Sequence, residues 1–328
     1  MKSISPELSS RISSLSFVCA CMVVLIHVPV PSTTGSWGWY LSSIFSYGVC
    51  LISVPFFFII SGFFLGRHLD EDGWYKKALK KRVRSLLIPY IVFNALYWGL
   101  THVDFELWNM KNIVVGIVGY PFGYPSLGPT WYIRSLLIFV ALSPLLSHRL
   151  LLTGGGTFIV AIFFLILSDY NPDLKIIKLL KYTFSIQNLF YFVTGLILSK
   201  RNLLVSQSLA KFAAASAFVI LIFKVYFESR GFAIPTIWRL LFCPLTLIAF
   251  WKLFPKVNMS ENITALAFPI FLLHYFSLIV LTKMNLDYNS AFGFIGGYAF
   301  MLISSLCVSF LIRRILPDKI ISFMFGGR

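Results

Sequence analysis

The chain has 328 residues, 58% of them hydrophobic and only 12% charged, and its mean hydropathy is +0.83. An average soluble domain is about half apolar and about a quarter charged. That composition excludes a soluble enzyme, a disordered protein and a disulfide scaffold, and leaves a polytopic membrane protein. The net charge of +16 would suit nucleic acid as a partner, but its distribution along the chain argues against that.

Apolar segments run over 15–31, 43–65, 84–101, 131–147, 156–169, 182–199, 209–227, 236–254, 262–282 and 291–312. They predict an all-α, polytopic transmembrane bundle of about ten spans, the fifth being short. The first segment has no small-residue cleavage site and reads as a retained helix rather than a signal peptide. With the N-terminus inside, the outer connections hold only Lys111, Lys175, Lys178, Lys181, Arg230 and Lys283. Most other cations fall on the inner side, including the run from Arg67 to Arg84. Cytoplasmic loops attract Lys and Arg, so both termini are predicted to be cytoplasmic. The same asymmetry accounts for the positive charge without DNA or RNA.

Arg134, Lys224 and Arg239 lie inside or at the edges of spans, and no Asp or Glu lies well within one. An intramembrane charge usually marks a function, although Lys224 and Arg239 are close enough to span ends to snorkel. Arg134 follows Trp131-Tyr132 at the outer mouth and needs carbonyls, lipid phosphate or a substrate as partner. Cys19, Cys21, Cys50, Cys243 and Cys307 all fall in apolar stretches without CxxC spacing, so they read as buried small hydrophobes. No metal site is predicted. The outer connection 102–130 carries Gly119-Tyr120-Pro121, Phe122-Gly123-Tyr124-Pro125 and Gly128-Pro129. It reads either as a functional loop or as a plain lid. Pro55 is expected to kink the second span, and Ser61-Gly62 to allow a close helix contact.

Ion-coupled transporters usually carry acids within their spans; this chain offers two intramembrane histidines, His27 and His274. A neutral imidazole can be buried and can accept a proton near neutral pH. On that chemistry alone, a lone buried histidine is more often a hydrogen-bonding residue in helix packing than a catalyst.

The order of motifs narrows the choice. Arg11-Ile12-Ser13-Ser14-Leu15-Ser16-Phe17 is followed by Val23-Val24-Leu25-Ile26-His27, then by Pro55-Phe56-Phe57-Phe58-Ile59-Ile60-Ser61-Gly62. Lys80-Lys81-Arg82-Val83-Arg84-Ser85 comes next, then Trp131-Tyr132-Ile133-Arg134-Ser135, and finally Phe268-Pro269-Ile270-Phe271-Leu272-Leu273-His274. This series resembles the acyltransferase-3 family of integral membrane acyltransferases over about residues 10–315. The corresponding division is a cytoplasmic N-terminus (1–14), an acyltransferase-3-like transmembrane domain (15–315) and a cytoplasmic tail (316–328).

The resemblance implies an enzyme of a bacterial inner membrane that takes an acyl group, most often acetyl, from cytoplasmic acyl-CoA. The group goes to a hydroxyl of a glycan or lipid-linked sugar, as in polysaccharide O-acetylation. Acyl-CoA would be a substrate, with no permanently bound cofactor and no nucleic-acid partner. His27 corresponds to the family's catalytic histidine, and Lys81, Arg82 and Arg84 to its basic segment, which would bind the CoA phosphates. Trp131, Tyr132 and Arg134 would hold the acceptor, with His274 a second polar contact.

Ser16 departs from the family pattern, which has arginine eleven residues before the histidine. Eleven residues are about three helical turns, so positions 16 and 27 share a face. A serine there offers a hydrogen bond to the donor but no charge, and Arg11 lies off that face. A catalytically silent relative therefore stays as an alternative, beside a transporter or flippase of a lipid-linked or amphipathic molecule that uses the Tyr-rich outer loop as a gate.

Overall fold

The computed structural model describes residues 4–102, 109–119, 124–146, 155–200 and 205–326, and every regular element among them is helical. Tyr120, Pro121, Phe122 and Gly123 of the aromatic loop lie outside the described residues, as do Lys2, Arg149, Arg201 and Arg328. The main helical stretches are α1 (Pro6–Ile26), α2 (Trp37–Gly66), α3 (Trp74–Thr101), α4 (Met110–Val118), α5 (Trp131–Ala141) and α6 (Gly155–Tyr170). They continue with α7 (Ile186–Lys200), α8 (Gln207–Ser229), α9 (Trp238–Leu253), α10 (Ala267–Leu281), α11 (Ala291–Ile315) and α12 (Asp318–Met324).

Five of these, α1, α2, α3, α8 and α11, are long and apolar enough to cross a membrane, and α6 and α10 are shorter apolar helices. All ten apolar segments overlap a helix. However, α5, α6, α7, α9 and α10 have 11 to 16 residues. At 1.5 Å per residue that is about 16–24 Å, short of the hydrocarbon thickness of about 30 Å. Local chemistry explains some of the shortening. α5 stops at Ala141, just before Ser143-Pro144 restarts a single turn: Pro144 has no N–H for the Val140 carbonyl, and the Ser143 hydroxyl takes that acceptor at 2.6 Å instead.

The start of α1 differs from the apolar reading by several residues. Ser5 caps the helix by accepting from the Leu8 amide at 3.3 Å, and Pro6 takes the first helical position, where its missing N–H is no loss. The polar first turns are invisible to a hydropathy window. At the other end Ile26 is the last helical residue and His27 is the C-cap (φ −99°, ψ 3°). Pro29 and Pro31 follow and prevent continuation.

In α2 a π-turn (Ser42–Ser46) and a 3-10 turn (Val49–Ile52) precede the regular stretch Ser53–Gly66. Pro55 thus sits in the first turn of that stretch, where amides lack intrahelical acceptors, and not in a helix interior.

The contacts divide the chain into two compact units, Met1–Phe57 with Asn202–Ser309, and Phe58–Arg201 with Phe310–Arg328. In the first unit Ala20, Val24 and Val28 pack with Leu266, Ile270 and Leu281, and with Phe294 and Met301 of α11. Ser277 and Ser304 join α10 to α11 by a 2.7 Å hydrogen bond between their hydroxyls, a form of polar glue suited to apolar surroundings.

In the second unit Phe139 packs against Phe58 and Phe192, with ring centroids 5.4 and 5.5 Å apart. Gly62 and Gly195 make the expected close contact. A Cβ on Gly62 would lie 2.1 Å from the Phe192 carbonyl oxygen, and one on Gly195 would lie 2.0 Å from that of Ile59.

Two expectations about burial change. Cys307 is exposed on α11, while Cys19, Cys50 and Cys243 are buried and Cys21 is partly so. Lys224 does not snorkel: it is only 4% exposed and pairs with Glu228, one turn further along α8. Its three donors find acceptors on Glu228 and Ser43 within the unit instead of in water.

Candidate active site

The first unit brings the two histidines together across 247 residues of chain: His274 Nε2 lies 3.3 Å from His27 Nδ1. His274 is fully buried in α10, and His27 is half-buried at the end of α1. Their ring centroids are 5.0 Å apart, and Tyr275 meets His27 edge-on at 5.6 Å.

The protons of the pair follow from the acceptors around it. A backbone carbonyl only accepts, so His27 Nδ1 donates to the Val23 carbonyl at 2.8 Å, and His274 Nδ1 to the Ile270 carbonyl at 3.1 Å. In neutral rings both lone pairs then lie on Nε2. That of His274 faces the His27 Nδ1–H, which is shared between it and Val23. That of His27 has no hydrogen-bond partner among the described residues. The arrangement leaves one oriented imidazole lone pair available to take a proton or attack a carbonyl carbon.

Ser16 stands lower on α1 and its hydroxyl donates to the Ile12 carbonyl at 2.7 Å. Arg11 is committed elsewhere: its guanidinium donates to the Trp251 and Phe254 carbonyls at the end of α9 and stacks on Trp251 at 5.5 Å. Guanidinium forks suit the unsatisfied carbonyls of a helix C-terminus.

The second unit holds the basic segment and the aromatic-Arg motif. Lys81 and Arg84 are exposed and Arg82 is half-buried. A π-turn over Val83–Leu87 interrupts α3 directly after Arg82. Such turns are rare, and they re-aim the side chains beside them. Tyr132 sits 3.4 Å from the Ser61 hydroxyl and edge-on to Phe58 at 4.8 Å. Trp131 packs beside Phe58.

Arg134 donates to the Tyr182 carbonyl and bonds the Tyr90 hydroxyl. Of the partners open to it in sequence, it finds a carbonyl. Tyr124 stacks edge-on against Tyr182 at 4.9 Å. Gly119, at φ +86°, keeps room for the arginine: a Cβ there would lie 2.4 Å from Arg134 Nη1. Buried Asn94 fixes the entry to α5 by donating to Thr130 Oγ1 and accepting from the Leu127 amide, both at 2.9 Å.

The profile of the acyltransferase-3 family, an acyltransferase domain, matches residues 12–314. The chain belongs to this family. It is 24% identical over 369 residues to the succinoglycan biosynthesis protein ExoH of Rhizobium meliloti (strain 1021), covering 98% of this chain and 93% of that protein. No solved structure matches. With its apolar helices, this acyltransferase-3 chain is a membrane protein.

Several neighbours of the motifs were not singled out in the sequence. Tyr275 carries a faint signal, since it adjoins His274. Asn94 could have been found as a polar residue in an apolar span. Tyr182 carries none: nothing in its spacing ties it to Arg134.

Proposed function

We propose that the chain is a membrane-embedded acyltransferase that moves an acyl group, in the first instance acetyl, from cytoplasmic acyl-CoA to a hydroxyl of a cell-surface carbohydrate or related acceptor in a bacterial inner membrane. The observation that carries this reading is the free lone pair on His27 Nε2, held in place by Val23 and His274.

In the general-base route the acceptor hydroxyl gives its proton to His27 Nε2 while its oxygen attacks the thioester carbon. The carbon–sulfur bond then breaks, and the CoA sulfur leaves with that proton. In the covalent route Nε2 attacks the thioester carbon first and CoA leaves as the thiolate; the acceptor oxygen then displaces the imidazole from the acyl group, and its proton goes to the thiolate. Both routes need the same tautomer. His274 supports either one, because the His27 Nδ1–H that becomes more acidic as Nε2 is occupied already faces an acceptor.

Lys81, Arg82 and Arg84 are assigned to the CoA phosphates, whose charge and geometry suit guanidinium and ammonium donors. Trp131, Tyr132 and Arg134 are assigned to the acceptor. Ser16 is assigned to a neutral part of the donor. That one substitution favours a second reading, a family member that has lost its donor, because Arg11 is engaged on α9 and does not supply the missing charge.

Calorimetric titration of acetyl-CoA into purified protein, beside an Arg82→Ala/Arg84→Ala variant, separates the two. Saturable binding that the variant loses supports the enzyme. Absence of binding by acetyl-CoA and succinyl-CoA alike supports the silent relative.

A further inference from the structure

The first unit contains a cavity of about 360 Å³ that the proposed reaction leaves unused. Val30, just past His27 at the same end of α1, forms part of its wall. The polar wall comes from Lys224 and Glu228 of α8 and from Ser42 and Ser43 of α2, with Trp39 and Tyr47 beside them.

An ammonium has three donors, and those of Lys224 are all engaged. They reach Glu228 Oε2 at 2.9 Å, the Ser43 carbonyl at 3.0 Å and Ser43 Oγ at 2.9 Å. Ser43 Oγ in turn donates to Glu228 Oε2 at 2.7 Å. The lysine charge is therefore matched inside the wall and does not mark an anion site. One group remains for a ligand. Glu228 Oε1 makes no hydrogen bond among the described residues, and this carboxylate side chain is 29% exposed. Ser42 Oγ also has no hydrogen-bond partner, but it is closed off from the cavity by the protein around it.

We infer that this cavity is a subsite for a neutral, hydroxyl-rich ligand, a sugar residue of the acceptor. Glu228 Oε1 accepts a sugar hydroxyl, and Trp39 and Tyr47 in the wall supply apolar surface for the sugar ring. The volume falls in the range of small-molecule sites, about 300–1,000 Å³. This inference rests on the carbohydrate-acceptor reading and names where that acceptor is gripped.

Saturation-transfer NMR tests it on the full chain in phosphatidylcholine nanodiscs, which carry no sugar headgroups. The probes are the methyl glycosides of glucose, galactose and N-acetylglucosamine. Wild type is expected to transfer saturation to the ring protons of at least one. Ala233→Trp, which fills the cavity from its exposed wall, should lose that transfer, and Trp39→Ala and Glu228→Gln should weaken it several-fold. Thermal unfolding and acetyl-CoA titration show whether each variant is folded. No transfer in wild type, or undiminished transfer in folded Ala233→Trp, overturns the subsite. In either case acetyl-CoA turnover that depends on His27 would still stand. Glycoside binding without any acyl transfer would instead sink the enzyme reading and leave the subsite.

Discussion

His274 Nε2 accepts from His27 Nδ1 at 3.3 Å, and each ring is anchored by its own Nδ1 to the carbonyl four residues earlier. One ring thus orients the other, and the orientation is tied to two helices that share a core. A hydrogen bond to one ring nitrogen fixes which nitrogen carries the proton, and so which is left with its lone pair.

If His274 positions His27, its loss should act on turnover rather than on donor binding. His274→Leu is expected to lower kcat by about 10–100-fold, with KM for acyl-CoA little changed. His274→Gln should recover part of the rate, since its amide oxygen can accept from Nδ1. Steady-state kinetics of the two variants check this. A packing role would show equal rates in both whenever they are equally stable.

The buried pair Lys224–Glu228 makes a stability prediction. Glu228→Leu leaves an unpaired ammonium inside the unit and is expected to cost about 3 kcal/mol. Lys224→Met removes the charge that needs burying and should cost less, because the half-exposed Glu228 can turn to water. The double variant should fall below the sum of the two, and denaturant unfolding of the three variants measures it.

Gly62 and Gly195 let α2 and α7 touch backbone to backbone. Gly62→Val or Gly195→Val is expected to destabilise by about 1–3 kcal/mol or more, since the obstacle is a carbonyl oxygen and not a flexible side chain. Gly296→Ala, which meets nothing within 4 Å, should be neutral or slightly stabilising. Parallel thermal melts in detergent compare them.

Gly119 shapes the surroundings of Arg134. Gly119→Ala combines a left-handed backbone with a clash at the guanidinium, so it is expected to displace Arg134 from Tyr182. The predicted readout is a raised acceptor KM with donor binding unchanged, measured once an acceptor is in hand.

The all-helical membrane class was legible because apolar residues are too numerous to be covered by anything but lipid and one another. The two histidines were legible as the polar residues of apolar stretches. That they meet was not, since no periodicity links positions so far apart in the chain; only the packing of α1 on α10 brings them together. Helix ends were hidden for a related reason. A hydropathy window begins at Leu15, whereas capping by Ser5 and Pro6 starts the helix earlier. The prolines after His27 end it at Ile26. Lys224 read as a snorkelling cation because its acceptors, Ser43 on another helix and Glu228 at a span end, have no signal in an apolar pattern. The assignments of Lys81, Arg82, Arg84, Trp131, Tyr132 and Arg134 rest on motif order, and the structure adds their surroundings.

The most direct test of the central claim follows label from radiolabelled acetyl-CoA into the carbohydrate fraction of membranes that carry the wild-type chain or His27→Ala at equal abundance. The account predicts incorporation with wild type and a loss of at least about 10²-fold with His27→Ala, while acetyl-CoA binding is retained. Incorporation at the wild-type rate by His27→Ala would contradict it and return both histidines to helix packing.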